Sequence, residues 1–207
     1  MAIILSLPAG VRNPADETWD PVPISQTMTS PLSAATQTAE LAPARWKAAL
    51  TYRTVPESNW RLWMALKAQL RGQANRLYVG PFVFAKPRGL AGGAPVVNGN
   101  GQTGNTLNVR GCTASQSPWL KVGDLFHYAS PNWQQMHIVV GADVASDSGG
   151  HAALTIEPAI RESPSDGAPI VTASPQCIMG LVTDDLPLKF TPPAIAEFTV
   201  QLEERFS

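Results

Sequence analysis

The sequence predicts a mainly β protein of two small units, with a single helix packed on the first. Nineteen prolines and sixteen glycines in 207 residues cut the chain into short segments, which favours many brief strands over long helices. Apolar and polar residues alternate with a period of two along Ala44 to Thr54 and Ala196 to Phe206, as in half-buried strands. One stretch alone, Thr54 to Gly72, carries both start and stop signals of a helix.

In chain order, the apolar run from Met1 to Leu7 reads as a first strand. It lacks a basic leader and is cut by Pro8 and Gly10, so a signal peptide is not expected. Ile24 to Met28 and Ala34 to Leu41 are Thr- and Gln-rich segments of strand length, parted by a turn at Ser30-Pro31. The clearest strand follows, with Trp46, Ala48, Leu50 and Tyr52 on one face and Lys47, Thr51 and Arg53 on the other. Thr54 and Glu57 form a T-x-x-E capping box, Pro56 occupies the first turn and Gly72 supplies the stop. On that helix Trp60, Leu62, Trp63, Leu66 and Leu70 share one broad face, which must pack on a sheet. Arg76 to Phe84 resumes strand character, broken at Gly80-Pro81 by a bulge or bend.

From Pro87 to Gly104 the composition turns to Gly, Ala, Asn and Pro, marking a loop or boundary. Short strands then follow at Thr106–Val109, Asp124–Ala129, Met136–Val144, Ala152–Glu157, Ile170–Thr172 and Ile178–Thr183, spaced as in a small barrel or sandwich. The last alternating segment needs a partner for its apolar face and is placed back in the first unit. Residues 1–87 and 188–207 are thus expected to form one unit, and 88–187 an inserted β unit.

Hydrophobic residues make up 44% of the chain and charged ones 15%. The first figure supplies a core and excludes general disorder; the second leaves an uncharged exterior, which suits burial between subunits. With a net charge of −1 and no basic cluster, there is no electrostatic footprint for nucleic acid. No stretch approaches the length of about 20 apolar residues that spans a bilayer, so a soluble chain is expected. Cys112 and Cys177 cannot be argued into a disulfide without geometry, and free buried thiols are expected.

Motifs for chemistry are weak throughout. Gly99 to Gly104 matches G-x-G-x-x-G, yet β-like residues follow it where a dinucleotide site needs a helix. His127, His137 and His151 have no metal-ligand spacing and are read as packed or surface side chains. Asp143 and Asp147 read as a polar turn, because an EF-hand pattern is missing. Neither a nucleophile elbow nor a carboxylate pair suited to one substrate bond appears; Asp184-Asp185 and Glu203-Glu204 read as solvated or interface charges. Neither an enzyme nor a cofactor is expected. Trp119 and Trp133 flank turns and offer a sugar platform, although core or interface packing is the commoner fate of Trp.

The order of residues carries a resemblance. The Trp46 strand, the helix with Trp60, Trp63 and Leu70-Arg71-Gly72, then Pro87-Arg88-Gly89, Val97-Asn98-Gly99, Gln102-Thr103-Gly104 and Gly123-Asp124 are its first part. Ile156-Glu157-Pro158, Ile160-Arg161 and Phe198-x-x-x-Leu202-Glu203 continue it. This arrangement resembles the minor tail or distal tail proteins of siphophages, over most of the chain. The resemblance implies a tail-tube-like β-sandwich or split barrel with one packed helix, and an inserted small β-barrel of galectin or OB type. It further implies a virion component of the tail tip or baseplate, assembled in the host cytoplasm as a ring of six copies. That ring would join the tail tube protein to the tail hub and touch the tape-measure protein. Lys47, Thr51 and Arg53 are expected to point away from the helix-packed core, and Glu203 and Arg205 to lie near a protomer boundary. A rival reading is a carbohydrate-binding module for host attachment, carried on the inserted unit by Trp119 and Trp133.

Overall fold

A computed structural model describes residues 2–129 and 134–206. The chain first lays down β1 (Ile4–Ser6), a long hairpin of β2 (Asp16–Thr29) and β3 (Thr36–Val55), helix α1 (Glu57–Leu70) and β4 (Arg76–Val79). Next come β5 (Gly93–Val97), β6 (Gly104–Cys112), β7 (Leu125–Ala129), β8 (Gln134–Val139), β9 (Ala152–Ile160) and β10 (Ile170–Val171). The chain ends with β11 (Cys177–Leu181), β12 (Lys189–Thr191) and β13 (Ile195–Glu204).

The protein is mainly β, with two sheets and one helix among the described residues. The larger sheet runs β1-β4-β11-β13-β3-β2, with β12 paired to β13. The smaller runs β10-β7-β8-β9-β6-β5. Its two ends meet where the Val97 N–H donates to the Ala168 carbonyl at 2.9 Å and the Gly167 N–H to the Val97 carbonyl at 3.0 Å, nearly closing a barrel.

Alternation explains the larger core. Trp46, Ala48, Leu50 and Tyr52 of β3 and Ala196, Phe198, Val200 and Leu202 of β13 fall on one face and are buried there. Helix α1 lays Trp63, Leu66 and Leu70 over them. The rings of Tyr52, Trp63 and Phe198 meet at centroid distances of 4.9, 5.0 and 5.3 Å, within the range of favourable aromatic pairs. The smaller sheet encloses its own cluster, centred on Val97, Leu107, Val109, Trp119, Phe126, Tyr128, Leu154 and Ile156. Cys112 lies in this second cluster and Cys177 in the first, and both are free thiols.

Several expectations are corrected. The sequence places Ile178–Thr183 in the inserted unit, yet β11 pairs with β4 and β13 at the centre of the larger sheet. All five of its residues are buried, and a strand buried on both faces has no alternation to reveal its sheet. The chain is therefore back in the larger sheet from Cys177 rather than from residue 188. Thr54 does not cap α1: its φ of 53° is left-handed at the end of β3, Pro56 holds the cap position, and Glu57 pairs with Arg61 instead. The stop at Gly72 does hold, with Arg71 and Gly72 both left-handed. A Cβ on Gly72 would stand 2.6 Å from the Asp184 carboxylate, which accepts the Gln73 N–H.

The strand at Arg76–Phe84 ends at Val79, because Gly80 passes so close to Pro175 that the ladder cannot continue; Val83 and Phe84 are exposed. The region 87–104 contains β5, a strand masked by its Gly-Ala-Pro composition. Short β12 lies outside the expected strands. The segments at 34–41 and 44–54 are one strand of 20 residues, and β2 starts at Asp16 rather than Ile24.

Candidate protomer interface

The β2–β3 hairpin sets the geometry. Its proximal half belongs to the sheet, with Asp16 to Val22 registered against Thr51 to Arg45. Beyond a register shift near Ile24 the two strands leave the body as an arm, and the side chains from 24 to 29 and 31 to 41 are exposed on both faces. At about 3.3 Å per residue, the six residues from Ile24 to Thr29 carry the tip about 20 Å outward. Hydroxyl pairs Thr27–Thr38 at 3.1 Å and Thr29–Thr36 at 3.4 Å brace the arm, and Glu40 is its sole ionisable side chain. Met28, Leu32 and Leu41 stand in solvent along it.

β2 is also an edge. It pairs with β3 alone among the described strands, so its outer side presents unpaired N–H and C=O groups. Pro21 and Pro23 carry no N–H, so β2 is short of donors where it meets the body, while Ser25 to Thr29 keep theirs. The sequence signal for this was present as a Pro-x-Pro step within a Thr- and Val-bearing strand.

The face of the larger sheet turned away from α1 holds the residues singled out by alternation. Lys47 stands across from Asp20 and Glu203, with its Nζ 3.8 Å from the Glu203 carboxylate. The Thr51 and Thr199 hydroxyls pair at 3.1 Å, and Arg53 bonds Asp16 at 2.8 Å. Arg205 spreads over Gly180, donating to the Gln73 side chain and the Leu181 carbonyl, with Glu203 at 3.9 Å. Lys47, Thr51, Arg53, Glu203 and Arg205 thus lie together on one polar sheet face of self-paired charges. Such exposed pairs contribute little to stability.

A third surface lies on the outer side of α1. Trp60, Met64, Leu188 and Phe190 line a shallow apolar groove between α1 and β12, rimmed by Arg61, Lys67 and Arg71. Trp60 meets Phe190 edge-on at 4.9 Å and donates Nε1–H to the Ala194 carbonyl at 3.1 Å.

Trp119 is corrected as a sugar platform. It is fully enclosed, and its Nε1–H donates to the Gly92 carbonyl at 3.0 Å, so neither face is available to a ligand. Trp133 lies outside the described residues. His127 and His137 are buried among apolar side chains, which lowers their pKa values to about 4 and about 3 and keeps both neutral. His137 sits between the rings of Phe126 and Tyr128 with Nδ1 2.7 Å from the Pro158 carbonyl, and His127 accepts the Gln176 N–H. Among the described residues no group of three or more His, Cys, Asp and Glu could hold a metal ion, and no helix is long and apolar enough to cross a membrane. The glycines at 99–104 form the β5–β6 hairpin, where Gln102 bonds the main chain of Asn98, Gly99 and Asn108.

Compared with protein-family models and with curated proteins, the sequence matches none.

Glu204 departs from the expectation of a solvated or interface charge. Alternation puts it on the apolar side of β13 with Phe198, Val200 and Leu202, and it is 1% exposed. Its carboxylate accepts the Trp46 N–H at 3.2 Å, where the two sheets meet. The Glu203-Glu204 step held that signal, since neighbours in a strand face opposite ways.

Proposed function

We propose that this chain is a structural subunit of the tail tip of a long-tailed phage, closing into a ring of six copies that joins the tail tube to the tail hub. The observation that carries the reading is the β2–β3 arm, a two-stranded projection exposed on both faces, nearly uncharged and bounded by an open edge. A lone hairpin has nowhere to bury a side chain and is marginally stable in water, so an arm of this length makes sense when another chain covers it. An edge that pairs with a different surface of the next copy gives a heterologous contact, which closes into a ring when the rotation permits. The resemblance in motif order to distal tail proteins supports that place for the ring, and the polar sheet face and the α1–β12 groove are further candidate contact surfaces for tube, hub and tape-measure proteins.

The test is assembly. The purified chain, alone and mixed with tail tube and hub proteins, is examined by native mass spectrometry and electron microscopy beside a variant in which residues 25–40 are replaced by an Asn-Gly turn. Rotationally symmetric rings are expected for the wild type. The shortened chain should remain folded, because it loses no buried side chain, and should stay monomeric. A wild type that remains monomeric and ignores tube and hub, or a shortened chain that still closes into rings, would sink the proposal.

A further inference from the structure

The seam between the two sheets holds a buried ionisable group in an unusual setting. Trp46 of β3 donates its Nε1–H to the Met136 carbonyl of β8 at 2.7 Å, and Arg161, just after β9, donates to the Ala44 carbonyl at 3.2 Å. Gln134 of β8 donates to the Gln176 carbonyl at 2.9 Å. Leu125 and Met136 of the smaller sheet insert into the core of the larger. The C-terminal residues wedge into this seam: the Phe206 ring lies under the Arg161 guanidinium at 3.5 Å and beside that of Arg45 at 5.0 Å.

Glu204 is enclosed at the middle of it. One carboxylate oxygen accepts the Trp46 N–H; the other, Oε1, is buried with no hydrogen-bond partner among the described residues. The charged and titratable groups around it are Arg45 from β3, Arg161 from beyond β9, Tyr128 from β7 and Cys177 from β11. Glu162 lies farther out, where its main-chain carbonyl accepts the Tyr128 hydroxyl at 3.2 Å. Arg45 and Arg161 stand near enough to attract the charged form, yet an ionised group here keeps one oxygen buried and without a hydrogen-bond partner among the described residues.

We propose that the seam is a proton-controlled joint, shut while Glu204 carries its proton and loosened when that side chain ionises and draws water between the sheets. Burial raises the Glu204 carboxyl to about 7, against the opposing pull of the Trp46 N–H, Arg161 and Arg45. Opening the seam would return it toward the ordinary glutamate value of 4.5. The shut form therefore binds the proton more tightly, and raising the pH from the ordinary value through about 7 favours opening. The two short links between the sheets, at residues 80–92 and 172–176, would let the smaller sheet move without unfolding either core.

Hydrogen–deuterium exchange on the intact chain tests this, with rates corrected for intrinsic pH dependence and read at residues 44–46, 134–138 and 202–205. Linkage between the two carboxyl values predicts that seam protection falls by roughly tenfold from pH 6 to pH 8, while Leu107, Leu154 and Ile156 in the smaller core stay unchanged. Glu204→Gln, neutral at every pH, should hold the protection flat, and Glu203→Gln on the opposite face should behave as wild type. Seam protection in the wild type that does not change over this range would overturn the proposal even if Glu204→Gln failed to fold. So would an identical pH response in Glu204→Gln.

Discussion

Replacing Tyr52 with Phe is expected to stabilise the protein, although it removes a polar atom from the centre of the larger core. Tyr52 is 2% exposed, and its hydroxyl has no hydrogen-bond partner among the described residues. Its ring is held by Trp63 and Phe198, contacts that Phe keeps in full. A buried hydroxyl left unpaired costs about 1–3 kcal/mol in lost hydration. The small void left by one oxygen gives back a few tenths of a kcal/mol at the rate of about 24 cal/mol per Å³. The net expectation is a gain of about 1 kcal/mol, seen as a rise of about 2–4 °C in Tm for a chain of this size. The same burial, with Glu17 nearby, pushes the phenol above its ordinary range, so ionisation supplies no compensating interaction. Urea unfolding of both chains at pH 7, with equal m-values, measures the difference. A loss of 0.5 kcal/mol or more would refute the reasoning, because it would mean that the hydroxyl is satisfied, for instance by water bridging to Glu17.

Two further outcomes follow from close approach and from buried titration. Gly80→Ala should destabilise by about 3 kcal/mol, since the new methyl would stand 1.8 Å from the Pro175 carbonyl oxygen and only main chain could give way; an unfolding midpoint within experimental error of wild type would show that the two links are not packed together. Near pH 5.5, unfolding should take up two protons at His127 and His137, whose folded values of about 4 and about 3 lie below the ordinary 6.5, and release one from Glu204, whose folded value of about 7 lies above 4.5. The balance is one proton taken up, so stability should fall as pH falls, by about 1.4 kcal/mol per unit, and Glu204→Gln should about double that slope. Urea unfolding at pH 5 and pH 6 measures both slopes, and a stability that rose on acidification would show the imidazoles to be solvated.

How far the fold was legible follows from which strands have two different faces. Trp46, Leu50 and Tyr52 against Lys47, Thr51 and Arg53, and Phe198, Val200 and Leu202 against Thr199, Gln201 and Glu203, announced the two long strands and predicted that they would share a core. β13 indeed pairs with β3 across more than a hundred residues of sequence. β11 gave no such cue, because it is buried on both sides, and β5 was hidden by glycine and proline. Thr54 and Glu57 matched a capping box whose local preference was overridden when β3 ran on to Val55 and left Pro56 at the cap. At the candidate interface, the polar set from Lys47 to Arg205 was legible by alternation, whereas the arm was not. Its Thr- and Gln-rich strands look like any half-buried hairpin until the absence of a covering layer is seen.

By itself the sequence determined the β character, the single helix with its apolar face, the return of the last strand to the first unit and the lack of familiar catalytic patterns. These are local properties, set by the two- and 3.6-residue periods and by proline and glycine. Only the tertiary structure decided that Trp119 is enclosed, that β11 belongs to the larger sheet and that Glu204 is buried between the sheets. Those outcomes depend on which surface each residue meets, and burial by a distant segment leaves no mark on the residue's own neighbours in the chain.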